Sequence, residues 1–313
     1  MRTRHSDLVV GVDLGGTKVL AGIANLSGDV LGRLEERTEH GAGAPVLEQI
    51  ARMVTSLLGE HGGGGRLRKV VVGIPSAVSP ATGLASLSPN LAIPVDRPLA
   101  DLLAEKLPCN VIVENDVNLA AFAEATLGKG RDQGSLAFVA FGTGVGMGLI
   151  VGGKLVRGQH GRAGELGLLP LGAEPHRTAP TARAGLFEDL VDSPAIRALY
   201  GDGAVMVSDI FARATSGEPE AKAVIETLAK SASLGIASVQ AMFDPALTVL
   251  GGGIGSQGIF VEAVRRHIVA LLPFEASIEA TSLGPDAGML GAVMLGLTDI
   301  ADLPDDGQQE AAQ

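Results

Sequence analysis

The sequence has a single cysteine. Cys109 has no partner for an intrachain disulfide and no neighbouring thiols for a metal cluster. Such a residue most often serves as a small buried hydrophobe. Positive charge is also scarce. The 24 Lys and Arg against 35 Asp and Glu give a formal net charge of −11, which argues against DNA or an anionic membrane as the main partner. No secretory leader is expected either: "MRTRHSD" runs into "LVVGVDLGG", which holds an acid and lacks a cleavage-site pattern. Long apolar spans are missing too. The charge-free run from Leu136 to Gly153 approaches the length of a membrane span, but its six glycines suit a strand–turn–strand better than a helix. These absences predict a cytoplasmic protein with neither membrane nor nucleic acid as partner.

What is present is enough for a large core. At 313 residues the chain is long for one domain and ordinary for two, and 46% apolar against 19% charged residues opposes global disorder. The 44 glycines are roughly twice average usage and point to tight turns and close backbone approaches. "LVVGVDL" (8–14) reads as a buried strand with a polar end, and 18–37 as a hairpin around "NLSGD". Residues 45–61 have helical spacing, with Leu47, Ile50, Met53, Val54, Leu57 and Leu58 on one face. A strand at 69–75, a helix at 98–107 and a strand at 110–116 follow, which is an α/β order.

The pattern then repeats. "VVGVDLGGTKVLAGIANLSGDVLG" (9–32) and "SLAFVAFGTGVGMGLIVGGKLVRG" (135–158) each give strand, glycine turn, strand, turn, strand, with Gly15 and Gly142 offset by 127 residues. A long helix at 221–243 leads to a later strand at 246–254. Two related α/β lobes facing each other across a cleft are expected, and such clefts are preferred ligand sites. The expected division is 1–116 for a smaller N-terminal domain, with a C-terminal helix at about 288–300 packing back on it. A larger domain would take 117–300, and the polar, acidic 301–313 would form a disordered tail.

The glycine turns carry the chemistry. At Gly15 and Gly16 the side chains are gone, so backbone N–H groups and the Thr17 hydroxyl can approach an anion closely. Gly142, Thr143 and Gly144 offer the same equipment in the second repeat. As structure alone each turn is a tight hairpin. Two at matching places, one beside an acid, suit a clamp on a polyphosphate, with Asp13 serving a magnesium ion directly or through water. Lys18 either reaches a phosphate or stays solvated. In "GGGI" (251–254), Gly252 and Gly253 either let an aromatic base lie flat on the backbone or simply turn a strand into a helix. Asp116, where "VIVEND" meets a helix, is either an N-cap or a base that takes the proton of an attacking hydroxyl. Asn115 beside it offers a hydrogen bond to a second hydroxyl. Glu165 in "GRAGELG" and Glu188 in "GLFEDL" are, alone, a solvated loop acid and a helix-start acid. Paired acids and amides are also what a polyol substrate requires.

Together these motifs resemble the ROK family of sugar kinases and transcriptional repressors, in order and over roughly residues 8 to 300. "DLGGTK" and "GTGVGMGLIVGGKL" are similar to its phosphate motifs and "ENDVN" to its catalytic strand end. "AGELG" is similar to its sugar-contact loop and "DPALTVLGGGI" to its adenosine motif. The resemblance implies the two-domain actin-like, hexokinase-like α/β fold, ATP and Mg2+ as cofactors, and a homodimer. It implies Asp116 as base and Asn90 of "SPNL", Asn115, Glu165 and Glu188 as sugar contacts. The sequence departs from the family at Leu168, where many members have a histidine that binds zinc and sugar, and at 169–185, which lacks the family's zinc-loop cysteines. His160 and His176 without thiolates make a poor structural zinc site, so no zinc is expected. Family repressors carry a helix-turn-helix ahead of the first phosphate strand. About seven residues precede it here, so an enzyme acting on a hexose or amino-hexose is expected. The alternatives are a non-catalytic sugar sensor and a polyphosphate-dependent glucokinase.

Overall fold

The structure is a computed structural model that describes residues 7–87, 94 and 96–302. Asn90 and nearly all of the predicted tail lie outside the described residues. The chain divides into two compact units. The first takes residues up to Ala123, Arg157–Arg162 and those from Asp286 onward; the second takes Glu124–Val156 and Ala163–Pro285.

In the first unit, strands β1 (Asp7–Leu14), β2 (Lys18–Asn25) and β3 (Val30–Arg37) form an antiparallel meander. Helix α1 (Val46–His61) leads to β4 (Arg66–Ile74), which pairs parallel with β1. A small ribbon of β5 (Ala77–Val78) and β6 (Ala85–Ser86) precedes α2 (Leu99–Ala104). Then β7 (Asn110–Asn115) pairs parallel with β4 and runs into α3 (Asp116–Thr126). The sheet order is β3-β2-β1-β4-β7. Alternation sorts its two faces: Val70 and Val72 of β4 join the core under α1 and α2, while Val71 between them packs with Leu119 of α3 on the other face. The apolar stripe of α1 is buried from Leu47 through Ile50, Met53 and Val54 to Leu57, as its spacing predicts. Helix α2 is shorter than the predicted 98–107. Pro108 disfavours helix at the residue before it, and Leu107 instead closes a turn onto the Leu103 carbonyl at 3.0 Å.

The second unit repeats the sheet. Strands β8 (Ser135–Phe141), β9 (Val145–Val151) and β10 (Lys154–Leu155) are antiparallel. Four short helices follow, α4 (Pro175–Thr178), α5 (Glu188–Val191), α6 (Ser193–Tyr200) and α7 (Val207–Thr215). The long α8 (Pro219–Phe243) buries Val224, Ile225, Leu228, Ala232, Ile236 and Val239. Strand β11 (Leu247–Gly251) turns directly into α9 (Gly252–Gly255) and α10 (Gly258–Ile268), and β12 (Ile278–Ala280) ends the unit's sheet. The order is β10-β9-β8-β11-β12, with β8–β11 and β11–β12 parallel, so its topology matches that of the first sheet.

The last helix, α11 (Ala287–Ala301), belongs to the first unit and lies on the α3 face of its sheet, with Met289 and Val293 packed against Leu20 and Ala24. Its glycines permit this seat. Gly291 faces the Leu119 carbonyl and Gly296 faces Val9, each so close that a Cβ would overlap. Among the described residues no helix is long and apolar enough to cross a membrane.

Candidate functional site

Each sheet's first hairpin closes with a three-residue glycine-containing loop. Between β1 and β2 it is Gly15-Gly16-Thr17, closed by Gly15 N–H to the Lys18 carbonyl at 2.9 Å. Between β8 and β9 it is Gly142-Thr143-Gly144, closed by Gly142 N–H to the Gly144 carbonyl at 2.9 Å. Thr17 and Thr143 are both exposed. The first loop is pinned by the chain after β3: Thr38 Oγ1 donates to the Gly15 carbonyl at 2.7 Å and His40 Nε2 lies 2.9 Å from the Gly16 carbonyl.

Asp13 sits one residue before the end of β1, in register with Leu20 and Gly73. Burial raises its carboxyl to about 6, with Lys18 acting in the opposite direction. It abuts the first turn of α11, where a Cβ at Gly288 would lie 2.5 Å from Asp13 Oδ2. Lys18 itself pairs with Glu35 at 2.7 Å, both side chains being exposed.

At the end of β7 three neighbouring residues have separate tasks. Asn115 Oδ1 accepts from Asn118 N–H at 3.0 Å, which is the N-cap bond of α3. Asp116 therefore stands at the first helical position, half-buried, with Oδ1 2.8 Å from Val117 N–H. Gly73 of β4 leaves room for α3: a Cβ there would lie 2.8 Å from Leu119 Cδ1, with the Asp116 Cα in ordinary contact at 3.4 Å. Glu114, which sequence reasoning passed over, is buried. It accepts from Asn115 N–H and Asn118 Nδ2, both at 2.9 Å, and pairs with Arg157. Its signal was an acid at an inward position of an apolar strand; its partner, 43 residues away, gave none.

In the second unit the structure brings Gly142–Gly144, Gly252–Gly253 and Glu188 together. A Cβ at Gly142 would lie 3.9 Å from Gly253 N, and Gly253 itself faces open space. Gly252 has φ +76°, a conformation that favours glycine, and its Cβ position is filled by the Phe141 backbone. Glu188 Oε2 accepts from Val145 N–H at 3.2 Å, and burial raises its pKa against that bond. The same carboxylate borders Gly144 and Gly167, each of which would bring a Cβ within 2.9 Å of it. Glu165 is half-buried at the start of the 3-10 turn Leu166–Leu168, two residues before Gly167. Leu168 is 54% exposed. Among the described residues no cluster of three or more His, Cys, Asp and Glu is placed to hold a metal ion.

Comparison with known proteins gives a consistent picture. The model of the ROK family matches residues 9–298. The chain is 27% identical to a glucokinase of Halalkalibacterium halodurans over 90% of this chain and 92% of that one. It is 31% identical to the bifunctional enzyme NanE/NanK of Brucella melitensis over 94% of this chain, and spans 55% of that longer protein. Among solved structures, a ROK family glucokinase from Streptomyces griseus in complex with glucose and AMPPNP superposes with a TM-score of 0.76 at 26% identity, covering 92% of this chain and 98% of that one.

Proposed function

The chain belongs to the ROK family, and from that premise we propose that it is a sugar kinase that moves the γ-phosphate of MgATP onto a hydroxyl of a hexose or amino-hexose. The observation that carries this reading is the pair of matched glycine hairpins, one ending beside Asp13 and the other beside Glu188.

In this reading Asp116 takes the proton of the acceptor hydroxyl as its oxygen bonds to the γ-phosphorus. The bond from that phosphorus to the β–γ bridging oxygen breaks, and ADP leaves. General-base help of this kind is typically worth about 10²–10⁴ in rate; positioning and charge neutralisation supply most of the remainder. Asn115, already fixed as the cap of α3, and Asn90, Glu165 and Glu188 would bind sugar hydroxyls. The backbone of Gly15–Thr17 and Gly142–Gly144 would hold the phosphates. The exposed backbone at Gly252–Gly253 beside Gly142 supports a nucleotide rather than polyphosphate as donor, since a flat base can rest there. Magnesium would be held by Asp13, directly or through water, and would supply neutralisation of phosphate charge.

A coupled ADP-release screen over hexoses and N-acetyl-hexosamines tests the reading. Turnover with at least one of them is expected. Sugar binding without ADP release would instead identify a non-catalytic sensor of the same fold.

A further inference from the structure

The loop between β8 and β9 is gripped at both ends by one short stretch, the elbow from Glu188 to Ser193. At the start of the loop the Gly142 carbonyl accepts from Ser193 N–H at 3.1 Å and from Ser193 Oγ at 2.9 Å. At its end Val145 N–H donates to Glu188 Oε2. The sugar-contact loop is tied to the same stretch: Phe187 N–H donates to the Gly167 carbonyl at 3.1 Å, and Gly185 lies against that carbonyl too closely for any side chain.

The elbow cannot hold itself. It spans a four-residue helix and the start of the next, and it carries three carboxylates in five residues, Glu188, Asp189 and Asp192. Asp192 is wholly buried, and Oδ1 caps α6 by accepting from Ala195 N–H at 2.8 Å. Its other oxygen pairs with the guanidinium of Arg183. That guanidinium also meets Asp189 Oδ1 at 3.2 Å, while Asp189 Oδ2 accepts from Arg183 N–H at 2.8 Å. One arginine thus joins Asp189 and Asp192, the two acids that follow Glu188 along the elbow. A planar fork matched to carboxylates suits this task better than an ammonium does.

We propose that Arg183 is a positioning residue for the second phosphate turn and for Glu188, acting through its clamp on Asp189 and Asp192. The proposal rests on the sugar-kinase reading above. Without the guanidinium the buried Asp192 loses its counter-charge, a strongly unfavourable state, and the elbow must rearrange. Both ends of the turn and the Glu188 carboxylate move with it. Misplacement on the ångström scale costs up to about 10²-fold in rate.

The test compares steady-state ADP release by the full chain with that of Arg183→Ala, Arg183→Lys and Arg265→Ala, with melting temperatures measured alongside. Arg265 is a control in the same unit, bonded to the Ile278 carbonyl and to Glu262. Arg183→Ala should raise KM for ATP about tenfold or more and lower kcat; Arg183→Lys should recover part of the loss. Arg265→Ala should keep KM for ATP at the wild-type value whatever it does to the melting temperature. If the alanine variant does not fold, the lysine variant decides, with a several-fold rise in KM expected. The proposal is overturned by wild-type constants in the folded Arg183 variants, or by Arg265→Ala raising KM as much. A wild-type protein with no turnover on any acceptor sinks the kinase reading and this proposal together; turnover with unaffected Arg183 variants sinks this proposal alone.

Discussion

Replacing Gly288 by alanine should uncouple activity from stability. The added Cβ would lie 2.5 Å from Asp13 Oδ2, 2.6 Å from Cγ and 3.0 Å from Oδ1. Carbon contacts settle near roughly 3.5 Å, so the carboxylate must retreat by about 1 Å. The Asp13 backbone cannot follow, because it is paired on one side with Leu20 and on the other with Gly73. The side chain must therefore leave its rotamer, at a cost of about 0.5–1.5 kcal/mol. Alanine inside a helix recovers about 0.5–1 kcal/mol relative to glycine, so the net change in stability should stay within about 1 kcal/mol. A shift of that size in the group proposed to hold magnesium should lower kcat/KM by about 10²-fold. Gly291→Ala, one turn further along α11, supplies the contrast. Its methyl would meet the backbone carbonyl of Leu119, which has no rotamer to change, so overpacking should cost about 1–3 kcal/mol or more. Thermal melts and ADP-release assays on both variants decide. A Gly288→Ala protein of wild-type stability that keeps activity within about threefold would refute the role given to Asp13.

Phe187→Ala should cost about 3–5 kcal/mol in denaturant unfolding. The ring is fully buried, meets Phe141 edge-on at 6.5 Å and fills the space over Gly235; a loss below about 1 kcal/mol would contradict this packing. Burial pushes the Cys109 thiol from its ordinary 9.0 up to about 11, with the Val70 backbone and Lys69 opposing. At pH 8 the thiolate fraction should then be about a hundredth of that in the unfolded chain, and iodoacetamide should alkylate the native protein about 100-fold more slowly than the urea-unfolded one. The same shift favours folding below pH 9 and is lost as pH rises through about 11, because the folded state holds its proton longer than the unfolded state. Equal alkylation rates in the two states would refute it.

Local features were legible and distant pairings were not. Glycines at Gly15, Gly16, Gly142 and Gly144 marked the two hairpin turns, because each loop sets two of them with a threonine between apolar strands. The periodicity of α1 showed in its apolar spacing. By contrast, β10 could not be read as a two-residue strand, since what shortens it is the return of Arg157–Arg162 to the first unit, where Arg157 meets Glu114. The role of Asn115 as cap could not be separated from that of Asp116 by spacing alone, since both residue types cap helices. The elbow from Glu188 to Ser193 was invisible for the same reason as the Arg157 pair. Its partners at Gly142 and Val145 lie more than forty residues earlier, and no periodicity links them. Helix α11 shows how a feature can be present in sequence without its meaning: its glycines weaken a helix on propensity, and only the close approach of Asp13, Leu119 and Val9 shows what each one leaves room for.

The central claim is that Asp116 draws the proton from a sugar hydroxyl while phosphate passes from ATP. Asp116→Ala, assayed by ADP release with the best acceptor and by calorimetric titration with AMPPNP, tests it most directly. Turnover should fall by about 10² or more, with nucleotide affinity kept within a few-fold. Turnover within about tenfold of wild type would contradict the assignment.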